Sequence, residues 1–93
     1  MIARRLVLLR RAADQLRRLP PVPKQRVRES LRDLQRGAAV GEPLRAELAG
    51  RWRIRVGSLR IVYRVSDATL LIVAVGPRRT IYTELERESR GRE

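Results

Sequence analysis

Cysteine and histidine are both missing from this 93-residue chain. Without them there is no disulfide framework, no thiol nucleophile, no imidazole base, and neither of the commonest zinc ligands. Phenylalanine is absent too, and Trp52, Tyr63 and Tyr82 are the only aromatics, so a platform for stacking successive bases is poorly supplied. Long apolar runs are also lacking. The basic N-terminus leads into Leu6 to Leu9, too short for the hydrophobic region of a signal peptide, and nothing approaches the ~20 apolar residues of a membrane span. The chain is therefore expected to work in the cytoplasm with no membrane, no metal and no small-molecule cofactor.

Lysine is almost missing as well, Lys24 being the only one, yet the net charge is +12. Arginine carries it. Such a charge makes polyanions the default partners, nucleic acid first. The guanidinium suits that role because it is planar, stays charged and grips phosphate through two parallel hydrogen bonds. The length allows one small domain with a single core.

Apolar spacing predicts a short first strand over 4–9, then a helix carrying Leu9, Ala12, Ala13, Leu16 and Leu19. Pro20, Pro21 and Pro23 end it, and a second helix runs from Pro23 to Arg36 with Val27, Leu31 and Leu34 on one face. Gly37, Gly41 and Pro43 mark a connection. Next comes RWRIRVGSLRIVYRV, from Arg51 to Val65, which reads as a tight β-hairpin. Gly57 takes the first central position of a two-residue turn. Arg55 then faces Arg60 and Arg51 faces Arg64, while Trp52, Ile54, Val56, Leu59, Ile61, Tyr63 and Val65 alternate onto the opposite face.

Like charges directly opposed destabilise a sheet, so a face that keeps them is expected to hold something anionic. The continuous apolar run Leu70 to Val75 predicts a central strand, beside which Arg60 would lie opposite Val75. Thr80 to Glu84 reads as a last extended piece. The expected fold is α+β: a short N-terminal strand, a two-helix hairpin, then an antiparallel sheet of three to four strands with helices on one face. The domain is expected to occupy residues 1–84, with 85–93 a polar, flexible tail.

Four pieces in this order, AADQLRRLP, LRAELAGRWRIRVG, LRIVYRV and VGPRRTIY, resemble the RelE/ParE superfamily of toxins from type II toxin–antitoxin systems. The resemblance runs from Arg4 to Glu84 and is closer to the RelE-like members. Those members enter the ribosomal A site and cut messenger RNA, whereas ParE-like members poison DNA gyrase and generally lack the full set of basic residues and tyrosine. The resemblance implies a ribosome-dependent, metal-independent endoribonuclease that inhibits translation, with a cognate antitoxin, the ribosome and mRNA as partners. It also leaves two alternatives: a gyrase poison without nuclease activity, or a degenerate toxin that binds RNA without cutting.

By position in the motifs, Arg53 and Arg55 stand where RelE-like members place two basic residues before the turn. Arg60 stands at the arginine after it, Arg78 at the arginine following the VG dipeptide, and Tyr82 at the late tyrosine. These five are the candidate catalytic residues. Arg51, Arg53, Arg55, Arg60, Arg64 and Arg79 are the candidate phosphate contacts. RelE-like members carry Lys at one or both of the first two positions, and Arg almost never moves a proton where Lys can. Tyr82 is the one phenol expected at the surface, and Glu84 is a remote candidate for a base. The arginines of the two helices read mainly as solvated faces.

Overall fold

A computed structural model describes residues 4–91 of the chain. Among these described residues, five strands form one sheet in the order β1-β5-β4-β3-β2, with three helices around it. Strand β1 (Arg5–Leu8) is parallel to β5 (Thr69–Pro77), and every other pair is antiparallel. Helix α1 (Arg10–Arg17) is followed by α2 (Pro21–Arg36). The second helix begins two residues before the expected Pro23. Prolines fit a first turn, because their missing N–H has no intrahelical partner there anyway. Gly37, at φ 77°, supplies the left-handed residue that ends α2, and the Ala38 N–H reaches back to the Asp33 carbonyl at 2.8 Å.

The hairpin of β3 (Trp52–Val56) and β4 (Leu59–Ser66) forms in the expected register, with Trp52 opposite Tyr63 and Arg55 opposite Arg60. Gly57 turns it at φ 61°, the conformation required at the first central position. Arg51 lies just outside β3, so its expected pairing with Arg64 does not form part of the ladder. Residues 42–43 add the strand that the sequence hid. Glu42 and Pro43, strand β2, pair with Arg53 and Trp52 at the sheet edge, a place where proline's missing donor does no harm.

Between β4 and β5 the register slips by one residue. Val62 faces Ala74 while Tyr63 faces Ile72, leaving Val73 as the extra residue of a β-bulge. Arg60 therefore lies opposite Gly76, not Val75 as expected. The bulge also turns two consecutive residues, Val73 and Ala74, to the same face.

That face holds the largest departure from expectation. Thr80 to Glu84 is not extended, and the helices do not all lie on one side. Helix α3 (Arg78–Gly91) covers the second face and takes in 85–91 of the stretch expected to be a polar tail, of which 92–93 lie outside the described residues. Its anchors are Ile81 and Leu85, one helical turn apart, which are 1% and 2% exposed against Val62, Val73, Ala74 and Leu48, the last from a 3-10 turn at Ala46–Leu48. On the first face, Ala12, Val27, Leu31 and Leu34 of α1 and α2 pack over Ile61, Tyr63, Leu70, Ile72 and Val75.

Tyr63 ties the first layer to the sheet edge. Its ring is buried and its hydroxyl accepts the Gly41 N–H at 2.7 Å. Gly41 must be glycine, since a Cβ there would collide with the Arg53 carbonyl oxygen and come within 2.6 Å of the Tyr63 hydroxyl. Burial pushes the Tyr63 phenol above its ordinary value of 10.0, opposed by the Gly41 N–H and the positive charge of Arg4. A group with a raised folded-state pKa contributes its full stability below the unfolded value and loses it as pH climbs through the folded one. Urea unfolding at constant ionic strength should therefore show stability falling above about pH 10. Tyr63→Phe, which cannot ionise, should flatten that fall; an identical fall in the variant would clear Tyr63 of responsibility.

Candidate active site

Strand alternation puts Ile54, Val56, Ile61 and Tyr63 of the hairpin against α1 and α2. Arg53, Arg55 and Arg60 consequently project to the other face, the one α3 partly covers. The three arginines line a pocket of about 110 Å³ together with Gly41 and Glu42. That is far below the roughly 300–1,000 Å³ of sites that enclose whole small molecules, and it matches a single tetrahedral oxyanion.

Arg60 is the unusual member. It is only 7% exposed, and its Nη1 donates to the Leu59 carbonyl oxygen at 3.3 Å. Among the described residues no carboxylate forms an ion pair with it. A cation taken out of water without a counter-charge is costly, and the same loss of solvent strengthens its attraction for an incoming anion. Arg55, exposed on the facing strand, adds a second positive charge. Gly76 on the other flank brings no side chain, and Ile81 of α3 lies over it, its Cβ 4.0 Å from where a Cβ on residue 76 would stand.

Arg53 links the pocket to α3. Its Nη1 donates to the Tyr82 hydroxyl at 3.5 Å and its Nη2 to Glu42 Oε2 at 3.5 Å. Tyr82 first, and Glu42 second, push the Arg53 guanidinium still higher than its usual range, against the opposing effect of burial. As an arginine it stays a cation whatever its neighbours, and it cannot serve as a base. Contacts of this length are weak in the resting protein, and such contacts commonly tighten only when substrate binds.

Glu42 is the residue that sequence reasoning missed. It sits on the two-residue strand β2, opposite Arg53 in register and on the rim of the arginine pocket. A strand of two residues shows no alternation to read. The available signal was Glu-Pro one residue after a glycine, which fits a close approach followed by an edge strand. Glu84, the carboxylate considered beforehand, is exposed on α3.

The remaining candidates fall elsewhere. The Arg78 backbone opens α3, but its side chain lies outside what the structure describes. Arg79 is exposed in the first turn of that helix. Arg51 and Arg64 line a separate cavity of about 330 Å³ with Leu71, Val73 and Leu85, closed at one side by an ion pair between Arg11 and Glu88. The predicted arginine face is therefore two sites, and Arg53, Arg55 and Arg60 form the one that contacts Tyr82.

This arrangement can hold a phosphoryl group, neutralise charge that develops on its oxygens, and offer one carboxylate and one phenol for proton movement. Among the described residues no cluster of three or more metal-ligating side chains occurs, and no helix is long and apolar enough to cross a membrane.

Residues 6–82 match the family model described as the ParE toxin of the type II toxin–antitoxin system parDE. The chain is 41% identical over 75 residues to Toxin RelG of Mycobacterium tuberculosis, an overlap covering 76% of this chain and 86% of that protein. Among solved structures it resembles a chain of the toxin–antitoxin complex RelBE2 from M. tuberculosis, with 36% identity and a TM-score of 0.74 over 84% of this chain and 94% of that one. A mutant of E. coli toxin RelE in the free state shares the fold, at a TM-score of 0.76 over 98% of both chains with 22% identity.

Proposed function

The chain belongs to the RelE/ParE family of type II toxin–antitoxin toxins, and from that premise we propose that it is a ribosome-dependent endonuclease that cuts messenger RNA and so halts translation. The observation that carries this reading is the buried Arg60 guanidinium, held without a carboxylate partner beside Arg55 in a phosphate-sized pocket. A surface used only for docking to a protein has no need to withdraw a charge from water at such a cost.

Cleavage needs no metal if the RNA supplies its own nucleophile. The ribose 2′ oxygen attacks the adjacent phosphorus and forms a new O–P bond while the bond to the 5′ oxygen breaks. The products are a 2′,3′-cyclic phosphate and a 5′ hydroxyl. Arg60 and Arg55 neutralise the charge gathering on the phosphoryl oxygens. Arg53 stays charged and orients Tyr82 and Glu42. The Glu42 carboxylate accepts the proton of the 2′ hydroxyl, and the Tyr82 phenol donates one to the departing 5′ oxygen. Glu42 thereby fills the gap left by arginines that cannot move protons. Arg78 and Arg79, at the start of α3, are proposed to extend the phosphate-binding surface, as are Arg51 and Arg64 along the sheet.

In the cell, the proposed partners are the ribosome with its message and a cognate antitoxin, all in the cytoplasm. The relatives include a toxin seen in a toxin–antitoxin complex, and an acidic antitoxin segment would gain steering and specificity from the +12 chain.

The deciding experiment is to add the protein to translating ribosomes and map message ends. Cut, ribosome-bound message is the expected result. Growth arrest with intact message and a DNA-damage response would instead support gyrase poisoning, the alternative left open by the resemblance to ParE-like members. Glu42→Gln should lower the cleavage rate by about 10²–10⁴-fold. Its folding should be unaffected because the side chain is exposed. Undiminished cleavage by that variant would remove Glu42 from the mechanism.

A further inference from the structure

On the other side of the hairpin tip, a second depression of about 180 Å³ lies between the α1–α2 junction and the turn. Leu19, Pro20, Pro23, Val56 and Leu59 wall it, and Arg26 stands at its rim beside Gly57 and Ser58. We propose that this slot takes one nucleobase of the RNA strand whose phosphate rests on Arg60, an inference that builds on the RNA-binding function proposed above.

The walls and the rim divide as a base does. Pro20 and Pro23 have no backbone N–H, so with the aliphatic side chains they present carbon surface and no donors. Polar groups gather on one side only: the Ser58 hydroxyl, the turn backbone and the Arg26 guanidinium. A nucleobase has two apolar faces and a polar edge, and its own backbone phosphate would follow at the cationic rim. The volume fits one ring system, being well under the roughly 300 Å³ at which pockets begin to enclose whole small molecules. Trp52 and Tyr63 are committed to the core layer, so the proline and leucine surfaces stand in for an aromatic platform.

The slot and the phosphate pocket lie back to back across the hairpin tip. Val56 and Leu59 form the rung next to Arg55 and Arg60, with side chains on the opposite face. Between the two faces lie only Gly57 and Ser58, both exposed. A single strand crossing the tip would place a phosphate on one face and a base in the slot on the other.

The test compares an oligouridylate with its base-free ribose-phosphate analogue of equal length, binding the full chain at one fixed salt concentration. Wild type should prefer the base-bearing strand by at least about fivefold. Pro20→Asp puts a carboxylate in the wall at the residue preceding α2, where Asp is a favoured cap, and should bring the ratio close to one. Arg26→Ala, on the exposed surface of α2, removes the cation at the rim and should weaken both ligands. Arg60→Met should weaken both ligands and leave the ratio intact.

Equal binding of both ligands by wild type, a ratio untouched by Pro20→Asp, or unchanged binding by Arg26→Ala overturns the slot while an Arg60 effect still supports RNA binding. If Arg60→Met also changes nothing, the RNA reading itself has failed. Loss of antitoxin capture by Pro20→Asp with an unchanged ratio would assign the slot to a protein partner and likewise overturn the proposal.

Discussion

Arg60→Met is expected to reduce message cleavage by at least about 10²-fold, the usual loss when one donor to a developing anion is removed, while the melting temperature rises. Both effects come from the same cause. Methionine reproduces much of the carbon stem that arginine buries, so the packing of the side chain is largely kept. What disappears is a cation that is 7% exposed and has no carboxylate partner among the described residues. Relieving even about 1 kcal/mol of that desolvation corresponds to roughly 4–8 °C in a domain of this size. Function is thus held at the expense of stability, as is common where a site stores an unfavourable charge. Calorimetry and message-end mapping on the same preparation check both halves. A variant that melts earlier yet cleaves normally would show that Arg60 is structural.

Tyr82→Phe carries the second large effect. The phenol is half-buried on α3 and accepts a hydrogen bond from Arg53 at 3.5 Å. Removing only its hydroxyl leaves the ring against the second core layer, so the fold and the ribosome affinity should persist. Cleavage should fall by about 10²–10⁴-fold, the range for losing one proton-transfer group. Single-turnover cleavage on saturated ribosomes separates this from a binding defect. A normal single-turnover rate would remove Tyr82 from the chemistry, and a loss of ribosome affinity without a loss of rate would reassign it to docking.

The hairpin was legible because two signals coincide there: strict alternation over both strands, and glycine at the one turn position that needs positive φ. Opposed Arg55 and Arg60 followed from the register alone. The depth of Arg60 did not, since arginine is seldom buried and nothing in the string marks which side chain a later helix will cover. Helix α3 was misread because Thr80, Ile81, Tyr82 and Thr83 are residues that favour strands. Only Ile81 and Leu85 carry its helical period, and burial of those two against the sheet outweighs the local preference. The slipped register of β5 was hidden for a different reason. Leu70 to Val75 is apolar at every position, so no alternation exists to show where Val73 is inserted.

The parallel pairing of β1 with β5 reaches into how the molecule comes into being. Arg5 meets Thr69 and Leu8 meets Ile72, so β1 has to wait for β5, the last of the five strands. Contacts this distant in sequence close slowly, because a long loop must be ordered before it is rewarded. Tyr82 is synthesised later still. During its own synthesis the chain can form α1, α2 and the hairpin first, and the contact joining Arg53 to Tyr82 comes together only after residue 82 has been made. On the function proposed above, a chain interrupted before Tyr82 would hold the arginine pocket without the phenol that completes it.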